Sequence, residues 1–318
     1  MGIEKLVLVL AKENDSQLAM LEKVPHLVGN QATVFEHAAS RATAIFNWSA
    51  SRNLLRTVFA MCPSVKWVHS RSAGLDNVLF PELVESEVVL TNGRGVFSPS
   101  LGEFALAAIL YFAKDFRRMI RNQSAGVWRP FDVEEIAEKT VGIVGYGDIG
   151  RAVATRVHAM GMRVLATRRH MPPGKDPLIE RYYASHELPE MLALCDYVVV
   201  TAPLTEETRH MIGEAEFAVM KSSAVVINVG RGPVIDQEAL VQALVSKKIN
   251  GAGLDVFEHE PLPAGHPLYQ LENVLLSPHC ADNTPDWKDR AMAFFLHQYE
   301  RFAKDEPLEN VVNKRLGY

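Results

Sequence analysis

Short apolar runs rich in β-branched residues alternate with amphipathic stretches along nearly the whole chain. This rhythm predicts repeated strand–helix units and a parallel sheet covered on both faces. In the first third the predicted strands are Lys5–Leu10, Ala42–Phe46, Val65–His69 and Val88–Thr91. In the middle they are Val141–Val144, Arg163–Ala166, Tyr197–Val200, Val225–Asn228, Gly253–Val256 and Val274–Ser277. Six strands in succession fit a dinucleotide-type sheet, so the fold class is α/β with doubly wound parallel sheets. Leu101 to Gln123, rich in Ala, Leu, Ile and Phe, reads as one long helix joining two domains. Arg117, Arg118 and Arg121 near its end suit a negative helix C-terminus and are expected to face water. A last helix, Pro285 to Ala303, precedes a tail, Glu309 to Tyr318, that returns to the first domain and makes it discontinuous. The expected domains are therefore residues 1–99 with 291–318, and residues 100–290.

Composition removes several function classes. The chain has 318 residues and a formal net charge of -5, with no electrostatic footprint for nucleic acid or an acidic membrane. Cys62, Cys195 and Cys280 are an odd number with no CxxC, which excludes a zinc or disulfide scaffold and predicts free thiols in a reducing compartment. No metal site is expected. The apolar run before Leu10 is too short for a signal-peptide core, and Phe104 to Ala113 falls short of the ~20 residues a membrane span needs. The terminal Leu316-Gly317-Tyr318 matches no retention signal, so a cytoplasmic protein is expected. Ala-Gly-Leu-Asp occurs at 73–76 and again at 252–255, too little for an internal duplication.

One local motif carries chemistry by itself. Val141–Val144 runs directly into Gly145-Tyr146-Gly147-Asp148-Ile149-Gly150 and then an amphipathic helix. Gly145 permits the tight turn, Gly147 lets a pyrophosphate approach the backbone, and Gly150 allows close helix–strand packing. The helix N-terminus attracts the anion. An NAD site places an acid at the end of the next strand, about 20 residues on. Here that strand ends in Thr167, Arg168 and Arg169. A guanidinium forks onto a 2′-phosphate that an acid would repel, and Thr167 can donate a hydroxyl, so NADP is favoured over NAD, with NAD still open.

Three polar residues follow predicted strands: Arg231, Glu260 and His279. With Asn228-Val229-Gly230-Arg231-Gly232, Gly253-Leu-Asp-Val-Phe-Glu-His-Glu260-Pro261 and Ser277-Pro-His279 after the glycine motif, the chain resembles the D-isomer-specific 2-hydroxyacid dehydrogenases. The resemblance extends from Ser72-Ala-Gly-Leu-Asp-Asn77 to the C-terminus and is nearest the glyoxylate/hydroxypyruvate reductase branch. It implies a flavodoxin-like substrate domain, a Rossmann cofactor domain and an active-site cleft between them. Reduction of a 2-oxo acid needs a hydride for carbon, a proton for oxygen and a cation for the carboxylate. His279 as imidazolium would give the proton, Glu260 would pair with it and orient it, and Arg231 would hold the substrate. His259 and His266 read as loop residues.

The resemblance implies further roles. Ala73, Gly74 and Leu75 would offer backbone N–H groups to the substrate carboxylate, in a turn where Asp76 also suits a helix N-cap. Asp255 would bind the nicotinamide carboxamide, and Ala202, Pro203, Thr208 and Val229 would line the cofactor. Trp48 would wall the substrate pocket or pack in the core. Trp128 would reach a neighbouring subunit or pack locally. A homodimer is implied. The expected function is an NADPH-preferring reductase of small 2-oxo acids. The alternatives are an NAD-dependent D-2-hydroxyacid dehydrogenase for a bulkier substrate, and a nucleotide-sensing binding protein like the C-terminal-binding-protein corepressors.

Overall fold

A computed structural model of the chain describes residues 5–169 and 174–317; Met1–Glu4, His170–Pro173 and Tyr318 lie outside the described residues. The chain divides into two compact units, Met1–Phe97 with Thr284–Tyr318, and Ser98–Asn283. The final helix runs from Trp287 to Ala303. Its start belongs to the first unit, where Trp287 meets Phe97 with ring centroids 6.0 Å apart, so the second boundary lies before residue 291.

The first unit holds β1 (Val7–Leu10), β2 (His26–Gly29), β3 (Ala44–Asn47), β4 (Trp67–Ser70) and β5 (Val89–Asn92). They form a parallel sheet in the order β2-β1-β3-β4-β5. β1, β3 and β4 are buried along their length, as apolar strands covered on both faces should be. On one face Phe46 stacks on Phe295 of the final helix, with centroids 3.8 Å apart. β2 was not predicted: it is a short edge strand following Pro25, half exposed, and it carries no apolar run.

The second unit holds β6 (Thr140–Val144), β7 (Arg163–Thr167), β8 (Arg181–Tyr183), β9 (Tyr197–Val200), β10 (Val225–Asn228), β11 (Gly251–Leu254) and β12 (Val274–Leu276). The order is β12-β11-β10-β9-β6-β7-β8, again all parallel. β8, three residues at the edge, escaped prediction for the same reason as β2. β11 starts two residues before the expected Gly253. Its small residues lack strand propensity but leave room for a helix: a Cβ on Gly251 would stand 2.5 Å from Phe112 Cε1, and one on Gly253 3.2 Å from Ala108 Cβ.

The expected single helix from Leu101 to Gln123 is two, Ser98–Ala113 and Phe116–Ser124. Asp115 between them adopts φ 49°, and its carboxylate accepts the Arg118 N–H at 3.2 Å, capping the second helix. The arginines there are not simply solvated. Arg117 donates to the carbonyl of Leu271 at 3.1 Å, Arg118 lies 4.3 Å from the Phe131 ring centroid, and Arg121 pairs with Glu272 at 3.7 Å. Among the described residues no helix is long and apolar enough to cross a membrane.

Candidate active site

Within the second unit the strand order reverses between β6 and β9, the place where a doubly wound sheet opens a crevice at its carboxyl ends. The glycine turn follows β6. Gly145 has φ 92°, and a Cβ on it would lie 2.6 Å from Ala202 Cα beyond β9, so only glycine lets the two strand ends close together. A Cβ on Gly150 would lie 3.0 Å from Gly145 O and Ile143 Cγ2, which is the close helix–strand packing expected there. At Gly147 a Cβ would meet nothing within 4 Å. Open space on the turn, above a helix starting at Asp148 whose first-turn amides lack in-helix acceptors, fits a dinucleotide pyrophosphate. Asp148 accepts from Ser98 Oγ at 2.5 Å, which ties that acid to the helix Ser98–Ala113. Tyr146 is buried, and its hydroxyl donates to Asp176 at 2.9 Å; Ile149 follows in the first turn of the helix.

At the end of β7 the structure separates the three residues expected to meet a 2′-phosphate. Thr167 is buried, and its Oγ1 accepts the Gly145 N–H at 3.0 Å, so its hydroxyl oxygen braces the glycine turn. Arg169 pairs with Glu207 at 2.6 Å. Arg168 is exposed, and no acid stands in its strand-end segment. Beyond β9, Thr208 Oγ1 donates to Pro203 O at 2.6 Å and accepts from the Thr205 N–H at 2.8 Å, holding the loop in shape. Val229, at the end of β10, is buried, with its N–H on Val200 O at 3.1 Å.

β10, β11 and β12 are neighbours, so the loops after them emerge side by side. They carry Arg231, Glu260 and His279. Glu260 Oε2 meets His279 Nδ1 at 2.6 Å, while Glu260 Oε1 accepts the Phe257 N–H at 2.9 Å. A carboxylate only accepts, so Nδ1 carries the hydrogen of this pair and Nε2 is the nitrogen left for substrate. The side chains are partly solvent-accessible, 46% for His279 and 34% for Glu260. His279 itself adopts φ 50°, with its N–H on Asp255 O at 2.9 Å.

Asp255 is buried, and its Oδ1 accepts from Ser277 Oγ at 2.6 Å, Cys280 N at 2.9 Å and Ala281 N at 3.1 Å. Besides any contact with a nicotinamide, it therefore anchors the segment that presents His279. Arg231 Nη1 donates to the Gly230 carbonyl at 2.8 Å. His266 accepts the Leu268 N–H at 3.2 Å and His259 is exposed, both outside this arrangement.

The remaining expected residues belong to the first unit. After β4, the Ala73 carbonyl accepts from Asn92 Nδ2 at 2.6 Å, Gly74 is half exposed and Leu75 is buried. Leu75 O accepts from Val78 and Leu79, so a turn follows, and the next helix begins only at Pro81; Asp76 is not its N-cap. Trp48, one of whose expected places was the pocket wall, is 1% exposed and sits in the core, with Nε1 on Asp15 Oδ2 at 3.2 Å. Trp128 is 98% exposed and does not pack locally.

The profile of the D-isomer specific 2-hydroxyacid dehydrogenase NAD-binding domain matches residues 106–281. Glyoxylate/hydroxypyruvate reductase B of Salmonella typhimurium is 38% identical over 280 residues, covering 85% of this chain and 84% of that protein. The chain belongs to the D-isomer-specific 2-hydroxyacid dehydrogenases. Among solved structures, a D-isomer specific 2-hydroxyacid dehydrogenase from Xanthobacter autotrophicus Py2, in complex with NADPH and MES, matches with TM-score 0.84 and 30% identity over 100% of both chains. An NADPH-dependent glyoxylate/hydroxypyruvate reductase from Sinorhizobium meliloti, in complex with NADP and sulfate, matches with TM-score 0.85 and 27% identity, over 99% of this chain and 100% of that one. This dehydrogenase is thus an oxidoreductase using a nicotinamide dinucleotide, on the glyoxylate/hydroxypyruvate reductase branch.

Sequence reasoning missed four residues of its site. Asn228, buried at the end of β10, donates to Arg231 O at 3.0 Å and accepts the Gly230 N–H at 3.0 Å, which shapes the arginine turn. Gly232 presses against backbone: a Cβ there would lie 1.9 Å from Phe257 C and 2.5 Å from Glu258 N. Glu258 locks the same loop, accepting from the Gln237 N–H at 3.4 Å and meeting His210 Nε2 at 2.7 Å. Asp282, three residues past His279, has its pKa pushed up by burial and by the charge of Asp255, while His279 and Arg231 pull it down. Asn228 and Gly232 were already within the quoted motif, and only their neighbours reveal their roles.

Proposed function

We propose that this dehydrogenase is an NADPH-preferring reductase of small 2-oxo acids of the glyoxylate and hydroxypyruvate type, yielding D-2-hydroxy acids. The observation that carries this reading is the 2.6 Å contact of Glu260 Oε2 with His279 Nδ1, in the same unit as an open glycine turn. The nicotinamide supplies a hydride to the carbonyl carbon when bound. Arg231 holds the substrate carboxylate with a bidentate guanidinium. His279 Nε2 donates a proton to the carbonyl oxygen as negative charge develops there, and Glu260, fixed by the Phe257 N–H, keeps the ring oriented and its positive charge compensated. The product gains hydrogen at carbon and at oxygen, and His279 recovers its proton from solvent. In oxidation the same nitrogen accepts the hydroxyl proton. The backbone N–H groups of Ala73 and Gly74 are the anion contacts that the first unit offers by itself.

NADPH is favoured over NADH because Arg168 is exposed on a strand end without an acid, so a 2′-phosphate meets a cation and no repulsion. Glu207, occupied by Arg169, weakens the case for Arg169 and leaves Arg168 as the principal phosphate ligand. A second copy of this chain is the partner that best suits the exposed apolar side chains of Phe116, Met119, Ile120, Val127, Trp128 and Val133.

Steady-state kinetics with glyoxylate, hydroxypyruvate, pyruvate and phenylpyruvate, each with NADPH and NADH, tests the reading. Turnover of glyoxylate and hydroxypyruvate with NADPH, and a shift toward NADH in Arg168→Asp, are expected. A bulky substrate turned over faster with NADH supports the NAD-dependent alternative. No turnover of any pair supports a nucleotide-sensing role instead.

A further inference from the structure

Arg71 has no role in the mechanism above, yet the first unit holds it at a place suited to ligands. The sheet order β2-β1-β3-β4-β5 reverses between β1 and β3, and doubly wound sheets take ligands at the carboxyl ends beside such a reversal. Side chains from the segments after β1, β3 and β4 meet there. Trp48 Nε1 donates to Asp15 Oδ2 at 3.2 Å, and the Arg71 guanidinium carbon lies 4.8 Å from the Trp48 ring centroid. The same carbon lies 4.8 Å from the ring of Trp287, at the start of the final helix. The cation is therefore clamped between two indoles.

Strand alternation explains the direction. Trp67, His69 and Arg71 fall on one side of β4 and its extension, the side on which Trp67 and His69 pack against Phe295. Burial pulls the guanidinium below its usual pKa and the charge of Asp15 acts against that. Among the described residues no carboxylate forms an ion pair with Arg71, so its N–H fork is not consumed by an acid. Indoles on both ring faces leave the donor edge as the route of approach, which is how a stacked guanidinium recognises oxygen acceptors. The chain also sets the reach: Ala73 is two residues on, at most about 7 Å along the backbone.

We propose that Arg71 is a specificity-determining residue, donating to an oxygen on C3 of the 2-oxo acid whose carboxylate the Ala73–Gly74 loop holds. The inference rests on the substrate reading of that loop. Hydroxypyruvate carries such an oxygen and glyoxylate has no C3, so Arg71 raises the preference for the former. Arg71→Met keeps an unbranched apolar stem between the indoles and removes every donor; Arg71→Lys keeps the charge as a single point donor. The measurement is kcat and KM for both substrates at saturating NADPH, with thermal unfolding to establish that each variant is folded.

In Arg71→Met, kcat/KM for hydroxypyruvate falls about tenfold or more, mainly through KM, and that for glyoxylate changes less than about threefold, the loss of one charge-assisted hydrogen bond. Arg71→Lys lies between, and it carries the test alone if the methionine variant does not fold. Parallel losses on both substrates, or an unchanged ratio in a folded variant, overturn the proposal while leaving the reductase reading intact. Wild-type protein that reduces neither substrate overturns the reductase reading itself.

Discussion

Replacing Gly232 with Ala tests whether the arginine loop and the glutamate loop act as one body. The new Cβ would have to move from 1.9 Å to at least 3.0 Å from Phe257 C. The obstructing atoms are backbone, so rotamer changes give no relief and the two loops must part by about 1 Å. Phe257 also donates its N–H to Glu260 Oε1 at 2.9 Å, and Glu260 holds His279 at 2.6 Å, so the displacement reaches the imidazole. Misplacement of reacting groups by about 1 Å costs on the order of 100-fold in rate, equivalent to about 2.7 kcal/mol of transition-state stabilisation. Overpacking also costs about 1–3 kcal/mol of folding stability.

The assay is kcat/KM for hydroxypyruvate with NADPH, alongside thermal unfolding and a fluorescence titration of NADPH. Activity should fall roughly 100-fold and the unfolding midpoint by several degrees. The NADPH dissociation constant should hold, because the atoms that a Cβ on Gly232 would strike first belong to Phe257 and Glu258 and not to the glycine turn after β6. A folded Gly232→Ala protein within threefold of wild-type kcat/KM would refute the coupling of the two loops. So would a loss of activity no larger than the unfolded fraction explains.

His279→Ala should lower kcat by about 100-fold or more, the usual contribution of a general acid, while NADPH still quenches protein fluorescence with wild-type affinity; loss of both together contradicts the assigned role. His69, completely buried, has its pKa pulled down to about 3 by burial. The unfolded chain therefore takes up this proton first, so stability is complete above about pH 6.5 and is lost as pH falls toward 3, at up to about 1.4 kcal/mol per pH unit. Between pH 6.5 and 4.5, denaturant unfolding of wild type should lose about 2–3 kcal/mol more than that of His69→Leu; equal losses would show that His69 is not the group responsible. Sedimentation should report two chains for wild type and one for a double variant, Ile120→Glu with Trp128→Glu; a wild-type monomer at micromolar concentration contradicts the paired apolar surface.

The strands legible in the sequence carry short β-branched apolar runs, such as Tyr197–Val200 and Val225–Asn228, which are buried along their length. Strands β2 and β8 carry no such run, and the backbone hydrogen bonds that make them strands leave no trace in residue type. The same distinction divides the site. The pairing of Glu260 with His279 and the close-packed glycine turn were legible because each depends on residue type itself, a carboxylate beside an imidazole and the lack of a Cβ. Thr167 and Trp48 each carry two readings in the sequence, since a hydroxyl can as well brace a turn as meet a phosphate, and an indole can as well fill a core as line a pocket. Asn228 and Gly232 matter only through what folding brings against them. Parallel connection explains why motif order was nonetheless informative: β10, β11 and β12 are successive along the chain and adjacent in the sheet. Each loop can then reach the next without crossing a strand, so residues far apart in sequence meet at neighbouring carboxyl ends, and a sequence that spaces them in that order already encodes their meeting.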